Sequence, residues 1–581
     1  MLSVTTAELA PAEVRPLLDE IGIAVLGDGA SWELTHESDE VSLLTLRGDG
    51  ELEVRLSVPL GDAAGFWHPE CHWERTIVAD WGGRASASLV DGTIAGCLYG
   101  AAGQTRLTFV TLDHLPGGRM LFGVSEEHKT YVVHLHVDPG ARPYRLLLAR
   151  TAPTVATAMR RLRERIRRDV TLPPLPPGGD GPAYSTWYAF SQHVAAAPVA
   201  AEAALAAELG CGVLLLDDGW QEHGSGRGYA GVGDWLPDTA KFPDLRAHVA
   251  AVQALGLKYL LWVAPLLLGP RSAAFGTLAG SAPLAAPAPG AHVLDPRLPA
   301  VRDHVVRTGV RLVTDYGLDG LKFDFLNDVM VYAGTPPTPG ADTADVGAAM
   351  GLLLDQLRTA LEAVRPGVLI ELRQPYAGPA MAPYGNLFRA DDCPADAVDN
   401  RVRTIDISLL GVGGAVHSDM LMWDPLSTPQ IAARQLIAVL HAVPQLSARL
   451  ADLSAEHRRM LTFWLGQWRR LQPTLTGGTL EPGRPDGLYQ LITAVRDEEC
   501  VVIVHEDRVV GLPRAARTTV VNGGTADRVA IELTGPGRDF RHETFDACGD
   551  LVASGPVRLG SGLTALAVPP SGLAVLDEVT A

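Results

Sequence analysis

Between about residue 183 and residue 471 the chain alternates short apolar runs with longer helical stretches eight times, and this feature narrows its fold more than any other. The apolar runs read as strands over Tyr184 to Phe190, Gly212 to Asp217, Tyr259 to Ala264, Gly320 to Phe325, Val368 to Arg373, Asn386 to Asp391 and Ala415 to Leu421, with a weaker one near Pro444. Helical patterns over Pro198 to Leu209, Leu245 to Leu255, Ala300 to Tyr316 and Val346 to Val364 lie between them. Eight such units match a (β/α)₈ barrel, a fold of typically about 250 residues. The competing doubly wound sheet calls for Gly-x-Gly-x-x-Gly after the first strand, and Phe190-Ser191-Gln192-His193-Val194 supplies none.

The flanks follow a different rule. Up to about Arg150 the chain shows short β-prone runs, such as Val41 to Leu46, Leu52 to Val58, Leu107 to Leu112 and Tyr131 to Val137, broken by Gly, Asp and Pro. That is the pattern of an antiparallel β-sandwich. An Arg-rich helix, Val155 to Arg168, leads into Pro173-Pro174-Leu175-Pro176-Pro177-Gly178-Gly179, a stiff linker. Alternation with turn residues returns in Leu488 to Val495, Cys500 to Val504, Thr518 to Val521 and Val529 to Leu533. The expected architecture is α/β: an N-terminal β-sandwich with helical linker (1–178), a central (β/α)₈ TIM barrel (179–475) and a smaller C-terminal β-sandwich (476–581). Within the barrel region, Ala285 to Ala291 reads as a flexible Ala/Pro loop.

Composition excludes some partners. A formal net charge of -19 opposes a nucleic-acid partner, whose binding depends on Lys and Arg neutralising phosphates. No apolar run approaches the roughly 20 residues that cross a bilayer, and the N-terminus lacks the basic stretch and apolar run of a signal peptide, so no membrane partner and a cytoplasmic location are expected. The six cysteines have no paired short spacing and read as buried thiols in a reducing compartment.

A barrel's reactive face lies at the C-terminal ends of its strands. Here those ends are acidic: Asp217-Asp218-Gly219-Trp220 on strand two, Asp324 on strand four, Asp391-Asp392 on strand six and Asp419 on strand seven. One strand-end Asp is commonly the N-cap of the next helix. Four acidic strand ends, with Lys322, Arg373 and Arg389 at the same level, point instead to acid-base chemistry, because crowding drives carboxyl pKa values apart unless cations intervene. A Mg²⁺ site is the other reading of clustered oxygen ligands. The barrel lacks a Gly-rich phosphate loop and a His-Glu-x-x-His motif, so no metal and no cofactor are expected. The single His-x-His, His134-Leu135-His136, is assigned to one face of an exposed strand in the N-terminal sandwich. Trp187, Trp220, Trp235 and Trp262 accompany the acids, and indole beside carboxylate suits a sugar, which offers C–H faces and hydroxyls; core packing accounts for any one of them equally well.

Leu214-Leu215-Leu216-Asp217-Asp218-Gly219-Trp220, with Gly233-Asp234-Trp235, Lys241-Phe242-Pro243, Leu318-Asp319-Gly320-Leu321-Lys322-Phe323-Asp324 and Arg389-Ala390-Asp391-Asp392-Cys393-Pro394, resembles the α-galactosidases of glycoside hydrolase family 36. The resemblance spans the barrel, about half the chain, and the flanking sandwiches agree with that family's three-domain plan. It implies an exo-acting, retaining α-galactosidase using two aspartates, with Asp324 as nucleophile. Asp217 and Asp218 are implied as acceptors for sugar hydroxyls, Lys322 as a donor to the sugar and Trp262 as a pocket wall; Trp187, Arg373, Arg389 and Asp391 complete the expected substrate-binding set. Ala390 replaces the family's Ser and two aspartates follow it; Asp392, three residues after Arg389, is the expected acid/base, with Asp391 as alternative. Glu371-Leu372-Arg373-Gln374 departs from the Gly-rich wording of many members on strand five.

Lys322, two residues before Asp324, points to the same side of an extended strand and is expected to help keep Asp324 ionised. The expected partner is an oligosaccharide or glycoside substrate. A homo-oligomer stays open, since enzymes of the family often form dimers or tetramers. Three alternatives share the frame: a transglycosylase like the raffinose-synthase relatives, an α-N-acetylgalactosaminidase, and a catalytically silent carbohydrate-binding protein.

Overall fold

The computed structural model describes residues 14–579 apart from 81, 116 and 141. At its centre eight parallel strands close into a barrel: β1 (Ala183–Ser185), β2 (Val213–Leu216), β3 (Lys258–Val263), β4 (Gly320–Phe323), β5 (Leu369–Arg373), β6 (Leu387–Arg389), β7 (Ala415–Leu421) and β8 (Val443–Leu446). Each pairs with its successor, and β8 pairs with β1. Strands such as Val213-Leu214-Leu215-Leu216 are buried on both faces, which is why they read as unbroken apolar runs.

Helix α1 (Val155–Arg167) precedes the barrel, and α2 (Ala196–Glu208), α3 (Leu245–Gln253), α4 (Pro299–Tyr316), α5 (Val346–Val364), α6 (Ala397–Leu410), α7 (Pro429–Ala438) and α8 (Ala455–Gly477) follow in order. Asp244, Asp345 and Asp396 cap the N-termini of α3, α5 and α6 through their carboxylates. The common N-cap role of aspartate is thus played by these residues and not by the acids of the strand ends.

The barrel expected from the alternation is present, with three differences in detail. The first strand stops at Ser185, and Trp187–Phe190 is one turn of helix. Ser447 Oγ accepts from the N–H groups of Tyr188 and Ala189, removing both from any ladder. Strand six is only Leu387–Arg389, so Asp391 and Asp392 lie on the loop beyond it. The weak strand expected near Pro444 is present as β8, where Pro444 has no N–H to donate, and the β7–β8 register shifts between His417 and Met420. The Ala285–Ala291 segment is not a free loop: Leu284–Ala285 and His292–Val293 pair in a three-stranded sheet, and Ala288 and Ala291 are buried.

The N-terminal domain packs two six-stranded antiparallel sheets face to face around a shared apolar core. His134 lies on Thr130–Val137, an interior strand of one of them, so the expected exposed strand is corrected. His134 is buried and bonds Glu53 at 3.0 Å; that bond leads in holding the Glu53 carboxyl down at about 2. The C-terminal domain pairs a seven-stranded with a three-stranded sheet. All six cysteines are free thiols, and all but Cys548 are buried. No described helix is long and apolar enough to cross a membrane.

The three domains meet at Asp406 on α6. Its carboxylate accepts from Arg75 Nη2 at 2.5 Å and Trp67 Nε1 at 2.8 Å, both from the N-terminal domain, and from Tyr489 Oη of the C-terminal domain at 2.7 Å. Arg75 and Asp406 are almost completely buried, so each needs the other's charge.

Candidate active site

The strand-end acids converge at the C-terminal rim, and nearly all are matched by cations. Lys322 Nζ on β4 donates to Asp217 Oδ2 at 2.7 Å, across the barrel interior, with both groups buried. Arg373, the last residue of β5, donates from Nε to Asp324 Oδ1 at 2.6 Å and from Nη1 to Asp391 Oδ1 at 2.7 Å. Arg389, the last residue of β6, donates from Nη1 to Asp419 Oδ1 at 2.5 Å and from Nη2 to Asp392 Oδ1 at 3.0 Å. Like-charge repulsion among the acids is thereby offset residue by residue. Asp218 is the exception: Gln192 and Gln221 amides hold its oxygens at 2.6 and 2.7 Å, and burial pushes its carboxyl up to about 6.

Asp324 sits just past β4. Its Oδ1 accepts from Arg373, from the Phe325 N–H at 2.8 Å and from Tyr376 Oη at 3.4 Å; its Oδ2 accepts from Trp262 Nε1 at 2.9 Å. Burial by itself raises such a carboxyl, but the charges of Arg373 and then Lys322, with the Trp262 hydrogen bond, hold Asp324 well below the usual carboxylate range. Lys322 therefore acts on Asp324 through its field, while its hydrogen bond goes to Asp217.

The two neighbours on the next loop differ. Asp391 is held by Arg373, its second oxygen lies 3.9 Å from Arg403, and its N–H donates to Gln374. Among the described residues Asp392 has one partner, Arg389, and its side chain is 53% exposed. Burial on its own favours the neutral acid, but Arg389 and Lys322 hold Asp392 below the ordinary value, an effect that exposure screens. Arg389 also faces Glu371 at 3.7 Å, so one guanidinium serves three carboxyls. Burial raises both Glu371 and Asp419.

Aromatic rings form the remaining wall. Tyr229 stacks on Trp262 at 6.2 Å between centroids and meets Phe325 edge-on at 5.0 Å. Trp220 and Trp235 are buried behind Trp262, where Trp220 Nε1 donates to the Trp262 carbonyl at 2.9 Å, so these two are packing residues. Gly219 is required by close approach: a Cβ there would lie 2.5 Å from the Gln192 Cα. Lys241 Nζ fastens the same loop by donating to the carbonyls of Gln192, Gly219 and Gly224. Trp187 stands half-buried at the rim after β1, and no hydrogen bond or ring contact joins it to the acids.

Sequence reasoning missed Gln192, Gln221, Tyr376, Tyr229 and Tyr188, whose hydroxyl donates to Asp419 at 3.0 Å. Of these only Gln221 stood beside a recognisable motif. Among the described residues no group of three or more His, Cys, Asp or Glu side chains is arranged to hold a metal ion.

Residues 184–391 match the Melibiase family model. "Alpha-galactosidase 2" of Pediococcus pentosaceus is 30% identical over 205 residues, covering 33% of this chain and 28% of that protein. An alpha-galactosidase of Escherichia coli is 30% identical over 143 residues, 24% of this chain and 20% of that protein. These matched stretches thus span under a third of the relatives' lengths. Among solved structures, a GH36 alpha-galactosidase of Geobacillus stearothermophilus superposes with a TM-score of 0.65 at 16% identity, covering 98% of this chain and 86% of that one. The alpha-galactosidase of Lactobacillus brevis gives 0.64 at 14% identity, covering 98% and 84%. The resemblance read from the motifs is therefore met in family model, relatives and fold alike.

Proposed function

We propose that the chain is a retaining, exo-acting α-galactosidase that releases terminal α-D-galactosyl groups from an oligosaccharide or glycoside. The observation that carries this reading is the asymmetric hold on Asp324. Arg373 Nε and the Phe325 N–H fix Oδ1, with Tyr376 Oη beside it, and among the described residues Trp262 Nε1 alone touches Oδ2, which leaves Oδ2 with a lone pair for attack. An ionised, oriented carboxylate of this kind is what a glycosidase nucleophile needs.

In the first step Asp324 Oδ2 forms a bond to the anomeric carbon as the glycosidic C–O bond breaks, and the leaving oxygen takes a proton from Asp392. In the second, Asp392 as carboxylate takes a proton from water, whose oxygen attacks the same carbon and frees Asp324. Asp392 suits the acid/base role because its Oδ2 has no partner among the described residues and its side chain faces solvent, whereas Asp391 is tied by Arg373. Entry of substrate expels water and strengthens the repulsion between Asp324 and Asp392, raising Asp392 toward the range of a working acid. Asp217, Asp218 and Lys322 bind sugar hydroxyls, and Trp262 with Tyr229 offers an apolar face. The relatives' names, and the solved neighbours in complex with stachyose and raffinose, support this class of substrate.

The test is NMR of an aryl α-galactoside during turnover. α-Galactose is expected as the first-formed anomer. First appearance of the β anomer overturns the retaining scheme, and absence of turnover across aryl α-glycosides overturns the activity.

A further inference from the structure

Period two places Glu371 on the same inner side of β5 as Arg373, two residues deeper in the barrel. It is the register partner of Lys322 on β4 and faces Arg389 from β6. The two-aspartate scheme gives Glu371 no part, yet a carboxyl stands there with only 1% of its surface exposed. A carboxyl sealed this far destabilises the fold unless a partner offsets its burial.

Its two oxygens are held differently. Oε2 accepts from Gln445 Nε2 on β8 at 2.5 Å. Among the described residues Oε1 makes no hydrogen bond; it lies 3.7 Å from Arg389 Nε, which makes none either. Lys322 and Arg389 are the cations that act on Glu371, and Asp217 is the acid. His417 on β7 stays neutral, pushed down to about 3 by burial and the charge of Arg389. Lys322 already donates to Asp217. Glu371 is therefore matched to Arg389 by charge, across a gap wider than a hydrogen bond.

Arg389 is where three carboxyls meet. Asp419 accepts from Arg389 Nη1 at 2.5 Å, from the Cys393 N–H at 2.8 Å and from Tyr188 Oη at 3.0 Å, the donor set of an ionised carboxylate. Burial pushes Asp419 up to about 6, so at neutral pH it carries its charge and cancels that of Arg389. What Arg389 then presents to Asp392 depends on Glu371. A guanidinium 3.0 Å from Asp392 favours the anion, whereas the proposed first step needs the proton. A second buried anion on the same guanidinium opposes that pull. The other groups that act on Asp392 are Lys322 and Arg373, which favour its anion, Asp324, which opposes it, and the hydroxyls of Tyr188 and Tyr229.

We propose that Glu371 is a positioning residue which, through Arg389, keeps Asp392 able to hold the proton that the leaving oxygen receives. This role rests on Asp392 being the acid of the galactosidase reading. With Glu371 ionised, the set of Arg389, Asp419 and Glu371 carries a net negative charge and holds Asp392 up. With a neutral side chain in its place the set is uncharged, Arg389 turns to Asp392, and the Asp392 carboxyl becomes a stronger acid.

The test is the pH profile of kcat/KM for two aryl α-galactosides, one with a poor and one with an activated leaving group, in wild type and Glu371→Gln. With the poor leaving group the basic limb follows the Asp392 proton, and in the variant it should move to lower pH by about one unit. The profile for the activated substrate, whose leaving group needs no proton, should keep its shape. Glu371→Asp keeps the charge but draws it back by a methylene, and should move the limb part of the way; it carries the test if the Gln variant folds poorly. Equal loss on both substrates at every pH overturns the role. A basic limb that survives Asp392→Asn overturns the acid assignment and this role with it. A limb lost in Asp392→Asn but unmoved in the Glu371 variants overturns this role alone.

Discussion

Asp324 and Asp391 are tied to one guanidinium: Arg373 Nε reaches Asp324 Oδ1 at 2.6 Å while its Nη1 reaches Asp391 Oδ1 at 2.7 Å. The arrangement orients the proposed nucleophile and occupies its acidic neighbour at once. Arg373 is also the largest charge holding Asp324 ionised. In Arg373→Met the Asp324 pKa rises, so the acid limb of kcat/KM moves to higher pH, by about one unit or more. A pH–rate profile with an unmoved acid limb contradicts this account.

Asp324→Ala should abolish hydrolysis of an aryl α-galactoside, with azide restoring part of the turnover as a β-galactosyl azide, because a small anion fits the space left by the carboxylate. Chromatography of the products reads both outcomes. Residual activity of even about a tenth of wild type is incompatible with a nucleophilic Asp324.

Asp392→Asn and Asp391→Asn separate the two candidates for proton transfer. Loss in Asp392→Asn should be about a hundredfold or more for poor leaving groups and much smaller for activated aryl leaving groups, which need no proton. Asp391→Asn should depress both substrates alike, since it disturbs Arg373. The reverse pattern in a Brønsted series over leaving groups assigns the acid to Asp391.

Glu70 offers a stability test away from the site. Burial pushes its carboxyl up to about 8, its Oε2 has no partner, and His68, 3.9 Å away, is pushed down to about 4 and so stays neutral. For an acid with a raised folded pKa, stability is fully present below the unfolded value near 4.5 and is lost as pH rises toward about 8. Glu70→Gln should therefore match wild type near pH 5 and exceed it at pH 8, by about 1–2 kcal/mol once the 29% exposure of the side chain is allowed for. Urea melts at the two pH values measure it, and parallel losses in both proteins would refute the cause.

The barrel was legible in the chain because its strands are buried on both faces and leave unbroken apolar runs. The end of the first strand was not. Tyr184 to Phe190 has strand-like composition, but Ser447, far along the chain, takes the two N–H groups that a longer strand would need. The same division holds in the site. Asp217 and Asp324 stood out because they follow apolar strands within motifs. Gln192, Tyr188 and Tyr376 did not, because their contacts are made across the barrel mouth. Lys322 is the intermediate case: period two placed it on the inner side of β4, yet only closure of the barrel brings it to Asp217 on β2.

The meeting of Trp67, Arg75, Asp406 and Tyr489 has a consequence for how such a protein can be cut and recombined. A barrel produced alone would carry Asp406 as a lone charge on a surface shaped to be covered, and an isolated N-terminal domain would carry Arg75 likewise. The smallest portable unit is therefore all three domains, and a chimera with a foreign N-terminal sandwich must bring its own equivalents of Trp67 and Arg75 to the joint.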